Sequence, residues 1–101
     1  AEDTILVDSY GDRIWNYPYD IDLRERKTVK LYEEESKVVG IFVEERPSGL
    51  QIFGFDDDDQ RYADLVLEGD WWMLWGFQDG PERMTQDGRD LFVNSLYRTM
   101  D

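Results

Sequence analysis

Apolar and polar residues alternate along several short stretches of this chain, as they do in half-buried β-strands. Residues 37–45, KVVGIFVEE, show the pattern most clearly, with Val39, Ile41 and Val43 on one face. The links between these stretches are short, and residues 46–49 have the Pro and Gly of a turn. Short links make consecutive strands antiparallel neighbours. The strands predicted in this way span residues 26–34, 37–45, 50–56, 62–70 and 71–77.

The N-terminal part of the chain follows a different pattern. Residues 4–10, TILVDSY, form a short β-prone run that ends at the turn signal Gly11-Asp12. Residues 13–23, RIWNYPYDIDL, place several aromatic side chains around Pro18, which lacks the hydrogen-bond donor that a central strand needs. We therefore predict an edge segment or an ordered loop that its aromatic residues pin to the core.

The C-terminal segment has the periodicity of an amphipathic helix. Thr85 is suited to the N-cap, and Asp87 and Arg98 place charges of the favourable sign near the two ends of the helix dipole. Gly88, in the first turn, is expected to cost about 1 kcal/mol relative to Ala. The apolar positions lie on one stripe, Leu91, Phe92, Leu96 and Tyr97, or beside it, Val93 and Met100. The chain thus predicts an α+β fold, a mainly antiparallel sheet of about five strands with one C-terminal helix packed on it.

Length and composition indicate a single domain, residues 1–101, that can bury a core. Of the 101 residues, 41% are hydrophobic and 15% aromatic, which is too rich for a disordered chain. The absence of Cys and His excludes disulfides, thiol nucleophiles, Ser-His-Asp triads and His/Cys zinc sites. No apolar run approaches the roughly 20 residues of a transmembrane helix. The sequence indicates a soluble protein and does not indicate its compartment.

The charge is strongly acidic. The formal net charge is −13, from 24 acidic and 11 basic residues, so direct binding to nucleic acid or to an anionic membrane is not expected. Three interpretations remain open. Abundant acid with only three Lys is typical of adaptation to high salt, but it also occurs in ordinary acidic proteins. The third interpretation is an acidic inhibitor that mimics DNA.

The aromatic stretch GDWWMLWGFQDGP, residues 69–81, is either a ligand platform or the centre of a sheet. On a strand, nothing polar interrupts either face between Trp71 and Phe77, which favours the core. Trp75 and Phe77 are expected to pack on Phe92 and Leu96. The aromatic residues most suited to an exposed interaction surface are Trp71 and Trp72, beside the polar turn, and Tyr17 and Tyr19.

One acidic run could bind a cation. Asp56, Asp57, Asp58 and Asp59 offer the hard oxygen ligands that Ca²⁺ prefers. Their spacing lacks the alternation, the central Gly and the closing Glu of an EF-hand. A calcium site and a solvated charge run are therefore both open, and the solvated run is favoured. No other cofactor is indicated.

The C-terminal third resembles a known family. Residues 65–100, LVLEGDWWMLWGFQDGPERMTQDGRDLFVNSLYRTM, resemble the last segment of glutamine-amidotransferase-like α/β domains of the trehalose-utilisation (ThuA-like) type. The matching positions are Leu74, Trp75, Gly76, Phe77, Met84, Thr85, Gly88, Arg89, Leu91, Phe92 and Asn94. The resemblance implies a strand, a Pro-containing loop and a final helix. Amidotransferase members have a nucleophilic Cys and a His, which this chain lacks, so no catalytic residue carries over.

These observations favour a non-catalytic interaction or structural module, a subunit or fragment of a larger assembly. Its expected partner is a protein or a second copy of the chain. The resemblance implies one alternative, the C-terminal part of an amidotransferase-like enzyme whose active site lies outside these residues. The acidic DNA mimic is the other alternative.

Overall fold

The computed structural model describes residues 3–23, 26–42, 49–69 and 72–100. Within them, six strands form one antiparallel sheet, and a single α-helix follows it. The elements are β1 (Thr4–Val7), β2 (Thr28–Lys30), β3 (Ile41–Phe42), β4 (Leu50–Asp56), β5 (Tyr62–Glu68), β6 (Trp72–Trp75) and α1 (Gln86–Met100). Short 3-10 turns lie at Arg13–Trp15 and Pro81–Arg83. The predicted α+β fold, an antiparallel sheet with one C-terminal helix, is confirmed.

The strand order departs from the simple meander that the short links predict. The order is β2-β1-β4-β5, and both β3 and β6 pair with the remaining edge of β5. The N-terminal strand β1 lies between β2 and β4, so β2 and β3 are not neighbours. The chain after β2 pairs instead with the segment that follows β6, through Tyr32 opposite Met84 and Val38 opposite Phe77.

The strand predicted at residues 37–45 is shorter than expected. Among the described residues, only Ile41 and Phe42 form a strand, and residues 43–48 lie outside them. The segment with alternating apolar residues does pair with other strands or segments, but its two ends pair with different partners. The backbone N–H of Val39 donates to Gly76 over 2.7 Å, whereas Ile41 pairs with Ala63 on β5.

The main core lies between one face of the sheet and α1. Paired residues Leu65 with Trp75 and Leu67 with Met73 belong to this face. Its buried side chains are Ile5, Val7, Ile14, Trp15, Ile21, Val29, Leu31, Tyr32, Phe53, Leu65, Leu67, Phe77, Met84 and Leu91. A smaller apolar cluster on the opposite face contains Leu50, Ile52, Ala63 and Val66.

Trp75 packs against the main core from a partly buried position, as the core interpretation of the aromatic stretch predicts. Its ring meets the ring of Phe92 edge to face at 5.3 Å between centroids. Its indole N–H donates to the hydroxyl of the fully buried Tyr32 over 3.0 Å, and Tyr32 donates to the carbonyl of Asp79 over 2.8 Å. Burial raises the pKa of Tyr32, which keeps its hydroxyl proton in this chain of bonds.

The start of α1 is fixed to the edge of the sheet. The hydroxyl of Thr85 accepts from the backbone N–H of Gly88 over 3.0 Å, which confirms the predicted N-cap. The same hydroxyl donates to the carbonyl of Lys30 over 2.6 Å, and the N–H of Thr85 donates to Leu31 over 2.9 Å. These bonds occupy carbonyls at the end of the edge strand β2, so that part of the edge is closed to other strands.

Candidate functional site

A row of apolar side chains lies on the solvent-facing side of α1. It consists of Val93, Leu96, Tyr97 and Met100, which we call the α1 stripe. Leu96 is 51% exposed, Tyr97 41% and Met100 74%, whereas Val93 is half-buried. Positions i, i+3, i+4 and i+7 share one face of a helix, so these side chains are neighbours. Contiguous apolar side chains on a surface, unlike scattered ones, are candidates for an interaction site.

Polar and small residues hold the opposite side of α1 against the core. Asn94 is fully buried, and its amide donates to the carbonyls of Ile14 and Tyr19 over 2.8 Å each. Its oxygen accepts from the backbone N–H of Tyr19 over 3.0 Å. The buried hydroxyl of Ser95 donates to Leu91 over 2.8 Å. With Leu91, Asn94 and Ser95 on the inner side, the α1 stripe faces outward.

The expectation that Leu96 packs in the core with Phe92 is wrong. Phe92 contacts Trp75, but Leu96 is half exposed. Residues at i and i+4 on a helix differ by about 40° in direction, so a four-residue step can carry a side chain past the rim of the core. The inner positions at this level belong to Asn94 and Ser95, and the hydrogen bonds of Asn94 to Ile14 and Tyr19 fix the rotation of the helix with Leu96 at the rim.

The loop at residues 16–20 extends the apolar surface of the α1 stripe. Tyr17 is 53% exposed, and its ring meets the ring of Tyr97 edge to face at 5.9 Å between centroids. Tyr19 is 49% exposed, and both of its backbone polar groups bind Asn94. The predicted role of these aromatic residues as anchors is therefore wrong for Tyr17 and Tyr19, and it falls to Trp15, which is 2% exposed.

The predicted interaction residue Trp72 is exposed but lies elsewhere in the fold. It is 46% exposed and pairs with Glu68 at the end of β6. Trp71 lies outside the described residues. Of the four aromatic residues selected from the sequence, the structure brings Tyr17 to the α1 stripe, binds the backbone of Tyr19 to Asn94 on the inner side of α1, and leaves Trp72 on a strand.

A largely buried ion pair fixes the C-terminal half of α1. The guanidinium of Arg98 donates to Asp12 over 3.1 Å, and both side chains are about 14% exposed or less. Burial alone would raise the pKa of Asp12, but hydrogen bonds from the Ile14 N–H, Arg98 and Gln51 outweigh it, and the pKa is lowered. Asp12 is also the N-cap of the first 3-10 turn and accepts a hydrogen bond from Gln51 of β4. One carboxylate therefore links this turn, β4 and α1.

The acidic run at residues 56–59 is engaged in hydrogen bonds of the turn that it forms. Asp56 is buried, and its Oδ1 accepts from the backbone N–H groups of Asp58, over 2.9 Å, and Asp59, over 3.1 Å. Arg61 pairs with Asp59 over 2.8 Å, and this hydrogen bond lowers the pKa of Asp59. Asp57 and Asp58 complete the run. Across residues 3–23, 26–42, 49–69 and 72–100, no group of three or more acidic side chains is arranged to hold a metal ion.

A surface cavity of about 300 Å³ lies between the segment that follows β2 and the second 3-10 turn. It is lined by Glu33, Glu34, Glu82 and Arg83. Arg83 forms an ion pair with Glu34 over 3.7 Å, and their side chains are 57% and 80% exposed. The lining charges are exposed, so this cavity offers no desolvated acid of the kind that catalytic pockets contain.

Comparisons of the chain with protein-family models, with curated proteins and with solved structures gave no match. The resemblance of residues 65–100 to ThuA-like domains therefore stays a prediction. No helix in the described part of the chain is long and apolar enough to cross a membrane.

Sequence reasoning missed Asn94 as the residue that orients α1. A signal was present, because Asn94 is a polar residue between the apolar positions Leu91 and Tyr97. A buried Asn must find hydrogen-bond partners, and Ile14 in the first 3-10 turn and Tyr19 in the following loop supply them. The helical spacing of the α1 stripe could also be seen in the sequence, but the sequence did not show whether this face or the face of Leu91 points inward.

Proposed function

We propose that this chain is a non-catalytic interaction module that binds a partner protein through the α1 stripe and Tyr17. The observation that carries the proposal is the exposure of Leu96, Tyr97 and Met100 on one helix face, 51%, 41% and 74%. Tyr17 continues this face through its contact with Tyr97. Removing a large apolar side chain from water contributes about 1.5–3 kcal/mol, so a partner that covers this surface gains affinity from each residue.

The rigidity of the surface supports the same proposal. Asn94 holds the first 3-10 turn and the loop of Tyr17 against the helix with three hydrogen bonds, to Ile14 and Tyr19, and Arg98 holds the last turns to Asp12. A binding face that is ordered before the partner arrives loses less conformational entropy on association. The apolar side chains of the α1 stripe are thus presented on a fixed frame.

A non-catalytic role is supported by the side chains that the chain offers. The sequence has no Cys and no His. Asp12, whose pKa is lowered, is neutralised by Arg98 in a structural network, and Tyr32 serves a hydrogen-bond chain in the core. A general base would need a raised carboxylate pKa in an accessible cleft, and these two groups have another use.

The proposal is tested by site-specific photo-crosslinking in an extract of the source cells. A photoreactive residue at Met100 should give one defined crosslinked partner, and the same residue at Val39, also exposed (57%), should not. Leu96→Gln combined with Tyr97→Ser should abolish the crosslink while the melting temperature stays within about 2 °C, since exposed positions change stability little. Equal crosslinking from both positions, or an unchanged crosslink in the double variant, would remove the α1 stripe as the interaction site.

The acidic inhibitor that mimics DNA is a second candidate, favoured by the charge. The net charge is −13, and in the described residues ion pairs engage the basic side chains of Arg26, Lys30, Arg61, Arg83 and Arg98. The excess carboxylates therefore dominate the field around the protein. If the crosslinked partner binds DNA, and if duplex DNA displaces this chain from it in proportion to concentration, this candidate is supported. A partner that binds both at once contradicts it.

A further inference from the structure

We infer that the partner segment seated on the α1 stripe is a basic amphipathic helix of about two to three turns. This inference rests on the proposed function and names the chemistry of the ligand for the same site. It follows from the shape of the stripe, from the field around it and from the size of the apolar surface.

The shape of the α1 stripe suits a helix. From Val93 to Met100 the stripe is about 10 Å long, at 1.5 Å per residue. Its i, i+3, i+4, i+7 ridge is what a second helix packs against when ridges enter grooves, at an axis separation of about 8–10 Å. Tyr17 stands beside Tyr97 and widens the stripe on one side. A partner helix with apolar residues at the same spacing matches this surface turn for turn.

The field around the stripe selects a basic partner. The chain has a net charge of −13. The stripe occupies the last two turns of α1, where the unsatisfied carbonyls of the helix end add partial negative charge. Arg98, the basic residue of the last turn, is held by Asp12. The exposed Arg89, one turn before Val93 on the same helix face, has the acidic Asp90 beside it. The exposed Asp20 follows Tyr19 on the adjacent loop. Lys and Arg beside the apolar face of a partner helix would meet this negative potential.

A second copy of this chain fits the surface less well. Two copies would bring together two charges of −13, which repel. A stable dimer also buries about 800 Å² on each partner, from roughly 20–30 residues a side. The α1 stripe and Tyr17 supply five residues. A surface of this size suits a short segment, and a helical segment of opposite charge meets both conditions.

Three synthetic peptides of about 18 residues test the inference against the full chain. The first places Leu at i, i+3, i+4 and i+7 with Lys and Arg elsewhere, the second replaces the basic residues with Glu, and the third scrambles the first so that no apolar face forms. Isothermal titration should give the first peptide at least about tenfold tighter binding than either control. Leu96→Gln with Met100→Gln should weaken it at least about tenfold, and Val39→Gln should not.

The contrary outcomes separate the inference from the proposed function. Equal binding of the scrambled peptide would show that charge alone acts, and equal binding of the acidic peptide would show that charge is irrelevant. Each result overturns the inference. Sedimentation that reveals a dimer lost in Leu96→Gln would make a second copy the occupant, which also overturns it. If none of the peptides binds and the crosslink from Met100 still forms, the basic-helix inference fails while the interaction role of the stripe stands.

Discussion

A β-carbon on Gly88 would overlap the carbonyl oxygen of Leu31. That carbonyl already accepts the backbone N–H of Thr85 over 2.9 Å, so it is held in place at the start of α1. The helix and the end of the edge strand touch backbone to backbone at this point. Glycine, which has no β-carbon, is therefore required for the close approach, and the sequence showed only the cost in helix propensity.

Gly88→Ala is expected to destabilise the protein by at least about 2 kcal/mol, although Ala is the better helix former by about 1 kcal/mol. The added carbon must push α1 away from Leu31 or disturb the Thr85 cap. Urea unfolding measures the change. Gly11→Ala is the matched control, because a β-carbon there meets no atom within 4 Å, and its stability should change by less than about 1 kcal/mol. A more stable Gly88→Ala variant would contradict the close packing.

The buried pair of Arg98 and Asp12 should dominate the ion pairs of the described residues. Arg98→Ala is expected to cost about 3 kcal/mol, because it leaves Asp12 largely buried without its cation. Arg61→Ala breaks the exposed pair with Asp59, whose side chains are 69% and 36% exposed, and should change stability much less, because water screens this pair. Similar losses in the two variants would show that the Arg98 pair is not shielded from water.

The same pair sets a pH dependence whose direction follows from Asp12. Its pKa in the folded protein is below the value of about 3.9 in the unfolded chain, so its contribution to stability is present above that value. The contribution is lost as the pH falls through the lower, folded-state pKa. The free energy of unfolding, measured from about pH 6 to pH 2, should therefore fall less steeply at the acid end in Asp12→Asn than in the wild type. Parallel pH dependences in the two proteins would contradict the lowered pKa of Asp12 in the folded state.

Trp75 and Trp72 provide a matched test of the aromatic stretch. Trp75→Ala is expected to cost about 3–5 kcal/mol, because it removes the contact with Phe92 and the hydrogen bond to Tyr32. Trp72→Ala, at a position 46% exposed, should cost less than about 1 kcal/mol. Denaturant unfolding of both variants decides between core and platform. A loss below about 1 kcal/mol for Trp75→Ala would return this face to the ligand-platform interpretation.

Local signals predicted most of the elements, and long-range pairing produced the errors. The sequence predicted the cap at Thr85, the strand at residues 50–56 and the final helix, because neighbouring residues alone determine these features. The position of β1 between β2 and β4 was not, because a strand of four residues carries no mark of its partners. The short links that suggested a meander are equally compatible with the observed strand order.

The candidate site was predictable in part for a similar reason. Tyr17 was selected as an aromatic residue on a Pro-containing loop, and it is exposed. The exposure of Leu96 and Met100 depends on the rotation of α1, which the bonds from Asn94 to Ile14 and Tyr19 fix. Those partners are 75 to 80 residues away in the chain, so no periodicity within the helix records them.

The acidic run should behave as a turn and a solvated surface rather than as a calcium site. Asp56→Ala is expected to cost about 1–2 kcal/mol, because its carboxylate accepts two backbone N–H groups, whereas Asp57→Ala should change stability by less than about 0.5 kcal/mol. Ca²⁺, Mg²⁺ and NaCl at matched ionic strength should raise the melting temperature alike. A micromolar calcium isotherm lost in Asp57→Ala or Asp59→Ala would instead establish a true site.

Added salt should stabilise the protein, because the net charge of −13 makes the compact state repel itself. Some exposed pairs, such as Arg26 with Asp87 at 3.2 Å, will weaken as salt increases, but each is worth less than about 1 kcal/mol. The melting temperature should therefore rise with KCl and level off by about 0.3 M, where the Debye length has fallen to about 6 Å. A continued rise into molar KCl would favour the high-salt hypothesis over simple screening. A melting temperature that falls from the first addition would mean that favourable ion pairs outweigh the repulsion, and it would contradict both.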